Sequence, residues 1–219
     1  MLDLIRFLYT QRITGFAVPN SPHFDNDASS AWFEQKLIAA THYLEFGSGG
    51  STYLAAKLNK SFVCIDSDRF FLKAVRQKIT ADGLFNPAEQ TYLPRQIGFS
   101  REWSRPVLWR GIGKARQAQF ARYSDFPVES LSNHRQPDLI LIDGRFRVAC
   151  ALKAIRALQA QSSWTLVVDD YVGRPEYEVI AEFAELDCLV GRMAVFCSKT
   201  TRTTAELERA IQTYALDFR

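Results

Sequence analysis

Four predicted strands end in acidic residues, at positions where these could act on a bound ligand. They are Glu45, Asp66, Asp143 and the pair Asp169–Asp170. The carboxyl ends of parallel strands meet at one edge of an α/β sheet, and ligands bind beyond that edge. We therefore expect these side chains to converge there. Each acid taken singly has a structural alternative, because an acid at such a position can cap the helix that follows.

A glycine-rich turn lies beside the first of these acids. The apolar run Tyr43–Phe46 predicts a buried strand, and residues 52–58 predict a helix. The residues expected to contact a cofactor here are Gly47, Ser48, Gly49, Gly50, Ser51 and Thr52. Glycines allow tight turns and let the backbone approach a ligand closely. A strand, a glycine turn and a helix in this order favour a polar cofactor at the helix N-terminus.

Asp66 follows the next predicted strand, Phe62–Ile65, about 20 positions after Gly47. That spacing suits a carboxylate which accepts hydrogen bonds from ribose hydroxyls. Ser67 and Asp68 are adjacent and could contact the adenine side, although Asp68 is also a candidate N-cap of the following helix. A nicotinamide-dependent dehydrogenase is disfavoured because an acid precedes the loop and the third glycine is displaced.

The stretch Leu44–Thr52 resembles the first motif of the class I S-adenosylmethionine (SAM)-dependent methyltransferases, an acid followed by a glycine loop. Its form is similar to a bacterial subgroup described as methyltransferase-like. The resemblance covers about residues 43–198 and implies SAM as cofactor, with Asp66 on the ribose hydroxyls. Glu45 would hold the loop or meet the methionine amino group, and Asp143 is counted among the cofactor-binding residues.

Asp143, Asp169 and Asp170 are similar in layout to the metal site of catechol-type O-methyltransferases. Three neighbouring carboxylates repel one another unless a cation or protons intervene. Mg²⁺ is the candidate metal, since it prefers oxygen ligands and would activate a substrate hydroxyl. Without a metal, Asp143 or Asp170 would serve as the general base. Further candidates are His23 and His134 as bases, and Arg145 and Arg147 for an anionic substrate.

The periodicity beyond the motifs predicts alternating strands and helices. Helices are expected over residues 31–40, capped by Ser29 or Ser30, and over 68–81, 115–123, 147–160, 174–186 and 205–214. Residues 188–197 predict an antiparallel hairpin. The expected fold is α/β and Rossmann-like, a class I methyltransferase fold. It has a mostly parallel seven-stranded sheet with one reversed edge strand in the C-terminal hairpin and helices on both faces.

Composition limits the class of protein. The chain has 219 residues, 47% of them hydrophobic, and a formal net charge of +3. We expect one domain over residues 1–219, with an N-terminal helical and loop segment at 1–41 and an insertion at 98–137 near the substrate. The weak charge argues against nucleic acid, and no apolar run is long enough for a membrane span. Four cysteines without a C-x-x-C pair fit reduced thiols in the cytoplasm.

Together these features predict a SAM-dependent methyltransferase that transfers a methyl group to an oxygen of a small molecule or glycan. The alternative is a protein that keeps the SAM pocket without catalysing transfer and acts as a sensor or partner subunit. The sequence leaves the acceptor and the oligomeric state open.

Overall fold

The computed structural model describes residues 2–107, 110–131, 136–161, 163–198 and 202–219. The strands are β1 (His42–Phe46), β2 (Ser61–Asp66), β3 (Gln90–Pro94), β4 (Ser100–Arg101), β5 (Arg105–Pro106), β6 (Leu139–Ile142), β7 (Thr165–Val168), β8 (Glu185–Val190) and β9 (Met193–Cys197). Seven of them form one sheet in the order β3-β2-β1-β6-β7-β9-β8. This order and the antiparallel β7-β9-β8 end match the class I methyltransferase fold, as the sequence predicts.

Helices cover both faces of the sheet. They are α1 (Leu2–Tyr9), α2 (Asp27–Ala39), α3 (Gly50–Lys57), α4 (Arg69–Ala81), α5 (Lys114–Tyr123), α6 (Arg147–Leu158) and α7 (Thr204–Tyr214), with a π-helical turn over Thr10–Thr14 and 3₁₀ helices over Glu102–Ser104, Val128–Ser130 and Pro175–Glu182. Side chains of α2, α3 and α4 pack on one face, and those of α5, α6 and α7 pack on the other. Among the described helices, none has the length and apolar character needed to cross a membrane.

The strand register aligns the residues that follow the central strands. Phe46 of β1 pairs with Ile65 of β2 and with Ile142 of β6, and Ile142 pairs with Val168 of β7. The residues that come next along the chain therefore lie at the same level of the sheet. They are Gly47, Asp66, Asp143 and Asp169. Parallel pairing thus brings the glycine turn and three of the predicted acids to one edge of the sheet.

Several boundaries differ from the sequence predictions. The helix expected over residues 174–186 is a 3₁₀ helix that ends at Glu182, and β8 starts at Glu185. The β8 residues pair with β9 across the sheet, and this long-range pairing overrides local helical spacing. The reversed strand β9 lies between β7 and β8, so the outer strand is β8. The cap of α2 is Asn26, whose side chain accepts a hydrogen bond from the Ser29 N–H.

Candidate functional site

The loops after β1 and β6 touch backbone to backbone. A Cβ at Gly47, which has φ of +105°, would lie 2.6 Å from the Gly144 nitrogen. A Cβ at Gly144 would overlap the Tyr123 hydroxyl of α5 and lie 3.1 Å from the Phe46 oxygen. Glycine suits both positions, because a Cβ at Gly47 would push the two loops apart and one at Gly144 would collide with Tyr123. Tyr123 brings the segment predicted as an insertion to this edge of the sheet.

Glu45 lies near the end of β1, one residue before Phe46, and its relative exposure is 0%. Its Oε1 accepts a hydrogen bond from the Ser51 hydroxyl, and its Oε2 accepts one from the Thr52 hydroxyl at 2.7 Å. Thr52 in turn accepts a bond from the Gly49 N–H at 3.0 Å. Of the two roles expected for Glu45, the geometry provides that of holding the loop. Burial raises the pKa of the Glu45 carboxyl to about 8, so this group holds a proton at neutral pH.

Asp66 is also buried and contacts the glycine turn. Its Oδ2 accepts hydrogen bonds from the Ser48 N–H at 2.8 Å and from the Ser48 hydroxyl at 2.5 Å. Its Oδ1 accepts one from the Asp68 N–H at 2.7 Å. Burial raises the pKa of Asp66 to about 6 despite these bonds. A carboxylate has about four lone-pair positions, so one position on Oδ1 remains for a further donor.

The other predicted cofactor residues have different surroundings. An added Cβ at Gly49 would meet nothing within 4 Å, whereas one at Gly50 would overlap the Ser21 carbonyl. The loop before α2 therefore lies against the start of α3 and leaves Gly49 open. Ser67 is buried, and Asp68 is the N-cap of α4, with its Oδ1 accepting the Phe70 N–H at 2.8 Å.

A buried arginine lies among the three acids of the predicted metal site. The side chain of Arg147 is 3% exposed, and its Nη2 donates to Asp143 Oδ1 at 2.9 Å. Its Nη1 lies 3.8 Å from Asp169 Oδ2 and 3.5 Å from Asp170 Oδ2. The guanidinium further donates to the carbonyls of Gly144, Asp143 and Asp169. Every nitrogen of the Arg147 side chain is thus engaged within the protein.

The expected Mg²⁺ site at Asp143, Asp169 and Asp170 does not fit this geometry. Within the described ranges, no group of three or more Asp, Glu, His or Cys residues is arranged to hold a metal ion. The Arg147 guanidinium lies where the three carboxylates would meet a metal cation, and Arg174 and Arg192 add two further positive charges at Asp170. The sequence missed this role of Arg147, although its position four residues after Asp143 is a recognised spacing for a helical ion pair.

The two acids after β7 have different partners. Burial and, after it, the nearby charge of Asp143 together raise the pKa of Asp169 to about 7. Asp143 and Asp169 lie within hydrogen-bonding reach of each other. Asp170, at φ of +54°, forms ion pairs with Arg174 at 2.9 Å and with Arg192 at 3.0 Å, besides the contact with Arg147.

The remaining candidates of the sequence analysis are dispersed. His23 is exposed on the loop before α2, and His134 lies outside the described residues. Arg145 follows Asp143 at the sheet edge and is partly exposed. None of the described residues forms a hydrogen bond or ion pair with its guanidinium.

Comparison with known proteins agrees with this architecture. A methyltransferase-like protein from Silicibacter pomeroyi is 28% identical, with a TM-score of 0.73 over 90% of this chain and 99% of that chain. A methyltransferase from Geobacter sulfurreducens has a TM-score of 0.51 at 11% identity, over 81% of this chain and 82% of that chain. No family model matches the sequence, and no curated protein matches it. The predicted resemblance to class I SAM-dependent methyltransferases is confirmed by these structural neighbours.

Proposed function

We propose that this chain binds SAM at the glycine turn and Asp66 and transfers its methyl group to a hydroxyl oxygen of a small molecule or glycan. The observation that carries the proposal is the shared register of Gly47, Asp66, Asp143 and Asp169 at one sheet edge. This register places the proposed adenosine site, at the ends of β1 and β2, next to the acidic groups that follow β6 and β7.

The residues present fit the adenosine part of SAM. Asp66 has one unused acceptor position for a ribose hydroxyl, and its Oδ2 would accept a second if the Ser48 hydroxyl turned away. The open space at Gly49 and the N-terminus of α3 allow backbone contact with a polar ligand. Gly50, Ser51 and Thr52 support the turn from inside α3, so they would act on the ligand indirectly.

SAM supplies an electrophilic methyl group on a positively charged sulfur. The protein has to position an acceptor hydroxyl in line with that methyl group and take up its proton. In this proposal the pair Asp143–Asp169 accepts the proton of the acceptor hydroxyl. The Asp143 side chain is 38% exposed, and the pKa of Asp169, raised to about 7 by burial, suits proton transfer near neutral pH.

Asp170 is the weaker base candidate. Arg174 and Arg147 lie at its Oδ2, and Arg192 lies at its Oδ1. Three guanidinium groups thus contact the two oxygens of Asp170 and compete with a hydroxyl proton for them. Asp169 therefore replaces Asp170 in the proposed catalytic pair, whereas Asp143 is retained.

Calorimetric titration with SAM and S-adenosylhomocysteine (SAH), followed by a methyl-transfer assay on hydroxylated acceptors, tests the proposal. Asp66→Ala should weaken SAH binding by about 1–3 kcal/mol, because the ribose loses a buried acceptor. The matched control is Asp82→Ala, an acid that is ion-paired at the end of α4. Absence of SAM and SAH binding by the wild type would refute the proposal. Binding without turnover would favour the sensor alternative.

A further inference from the structure

We propose that Arg145 binds an anionic group of the methyl acceptor, a carboxylate or a phosphate. The inference rests on the proposed function, which makes the β6–β7 side of the sheet edge the acceptor side. Arg145 lies two residues after Asp143, in the loop whose Gly144 touches the glycine turn at Gly47. An acceptor hydroxyl at Asp143 would therefore have Arg145 next to it.

The two arginines of this loop differ in their bonding. Arg147 is almost fully buried and bonds to Asp143 Oδ1 and to three carbonyl oxygens. Arg145 is partly exposed, and nothing in the described part of the chain hydrogen-bonds to its guanidinium. Arginine stays protonated and presents five donors. A guanidinium without partners in a partly buried position favours a ligand that supplies the missing acceptors.

The charges around Arg145 point to an anion. The three acids Asp143, Asp169 and Asp170 are ion-paired with Arg147, Arg174 and Arg192. Three carboxylates are thus matched by three guanidinium groups, so Arg145 adds one positive charge beyond those that the three acids balance. Burial and the neighbouring Arg147 charge also lower the pKa of Arg145. A bound anion would offset that repulsion.

An anion at Arg145 has two sources, the acceptor or the methionine carboxylate of SAM itself. We favour the acceptor because Arg145 follows β6, on the side of β1 away from Asp66 and β2.

The probes are matched pairs: benzoate with benzamide, phenyl phosphate with phenol, and glucuronate with glucose. Each is titrated into the wild type, Arg145→Met and Arg145→Lys, with and without saturating SAH. Arg122→Met, an exposed arginine on α5, controls for net charge.

The wild type should bind at least one anion about 10- to 100-fold more tightly than its neutral counterpart, as a charged hydrogen bond allows. Arg145→Met should remove that preference and leave the SAH affinity unchanged, whereas Arg145→Lys should retain part of it. Three results would each overturn the inference. They are no anion preference in the wild type, a preference that survives Arg145→Met, and a tenfold loss of SAH affinity in Arg145→Met, which would assign Arg145 to the methionine carboxylate.

Failure of the wild type to bind SAH would count against the proposed function alone. The titrations without SAH would still decide whether Arg145 selects an anion. Loss of folding is not expected in Arg145→Met, since no described residue bonds to this guanidinium. Thermal unfolding of each variant checks that point.

Discussion

The Nη2 atom of Arg147 donates to Oδ1 of Asp143 at 2.9 Å, across one turn at the start of α6. The same guanidinium reaches the acids after β7 and the carbonyl of Asp169. A side chain that follows β6 thus ties together the ends of two adjacent strands. This contact places a buried positive charge among the acids that follow β6 and β7.

Removal of the Arg147 charge should destabilise the fold strongly. Arg147→Met would leave the buried Asp169 and the partly exposed Asp143 without their cation, at a cost of about 3–5 kcal/mol. Urea unfolding at pH 7 measures this loss. Arg156→Met, which breaks an exposed ion pair with Glu208, should cost less than about 1 kcal/mol. Equal losses of unfolding free energy in the two variants would show that Arg147 stabilises the fold no more than an exposed ion pair does.

The Arg147 guanidinium should also determine the response to metal ions. Wild-type stability and activity should be insensitive to EDTA and to millimolar Mg²⁺ or Mn²⁺. Arg147→Ala leaves Asp143 and Asp169 without their cation, whereas Asp170 keeps Arg174 and Arg192. Mn²⁺ should therefore raise the melting temperature of this variant. Thermal unfolding with and without Mn²⁺ compares the two proteins. A Mn²⁺-dependent increase in the wild type that exceeds that of the variant would show that the acids hold a metal beside Arg147.

Glu45 should make the stability of the protein depend on pH. Its pKa is raised by burial to about 8 in the folded protein, against about 4.3 in an unfolded chain. The folded state therefore keeps a proton that the unfolded chain releases. The contribution of Glu45 to stability is largest below the unfolded value and is lost as the pH rises from about 4.3 to about 8.

Glu45→Gln should flatten this dependence, because the amide cannot ionise and still offers an acceptor to Ser51 or Thr52. Urea midpoints between pH 5 and 9 measure the difference between the two proteins. Wild type should lose stability relative to Glu45→Gln as the pH rises. Parallel curves would show that Glu45 has the same pKa in the folded and unfolded states.

SAH binding should weaken in acid because Asp66 accepts ribose hydrogen bonds best when ionised. Its pKa is about 6 in the folded protein, so affinity should fall as the pH drops below about 6. Titrations between pH 5 and 8 in the wild type and Asp66→Asn test this. The variant should bind more weakly at pH 8 and show little change with pH. An identical pH profile in both proteins would exclude Asp66 as the titrating group.

Substitutions at two glycines of the turn should have different effects, one on the stability of the fold and the other on SAH binding. Gly47→Ala places a Cβ 2.6 Å from the Gly144 backbone at a φ of +105°, which should cost about 2–3 kcal/mol of stability. Gly49→Ala adds a Cβ in open space and should keep the fold while reducing SAH affinity. Chemical unfolding and SAH titration are measured on both variants. A stable Gly47→Ala protein with normal SAH affinity would contradict the close contact of the two loops.

The sequence by itself determined the alternation of strands and helices, the glycine turn and the acids at positions 66, 143 and 169. These features are local, because apolar runs, glycine spacing and strand ends depend on residues that are close together in the sequence. The same local information identified Asp68 as a candidate cap, and the structure confirms that it caps α4.

Only the tertiary structure decided how those residues are used. Glu45 accepts a hydrogen bond from Ser51 of α3, and Asp66 accepts one from Ser48. Arg147 occupies the place expected for a metal. The β8–β9 pairing likewise shortened the helix predicted after residue 174. Each outcome depends on contacts between separate elements and on burial. Spacing along the chain indicates which groups meet at an edge, but not which charge lies between them or which hydrogen bonds are already made.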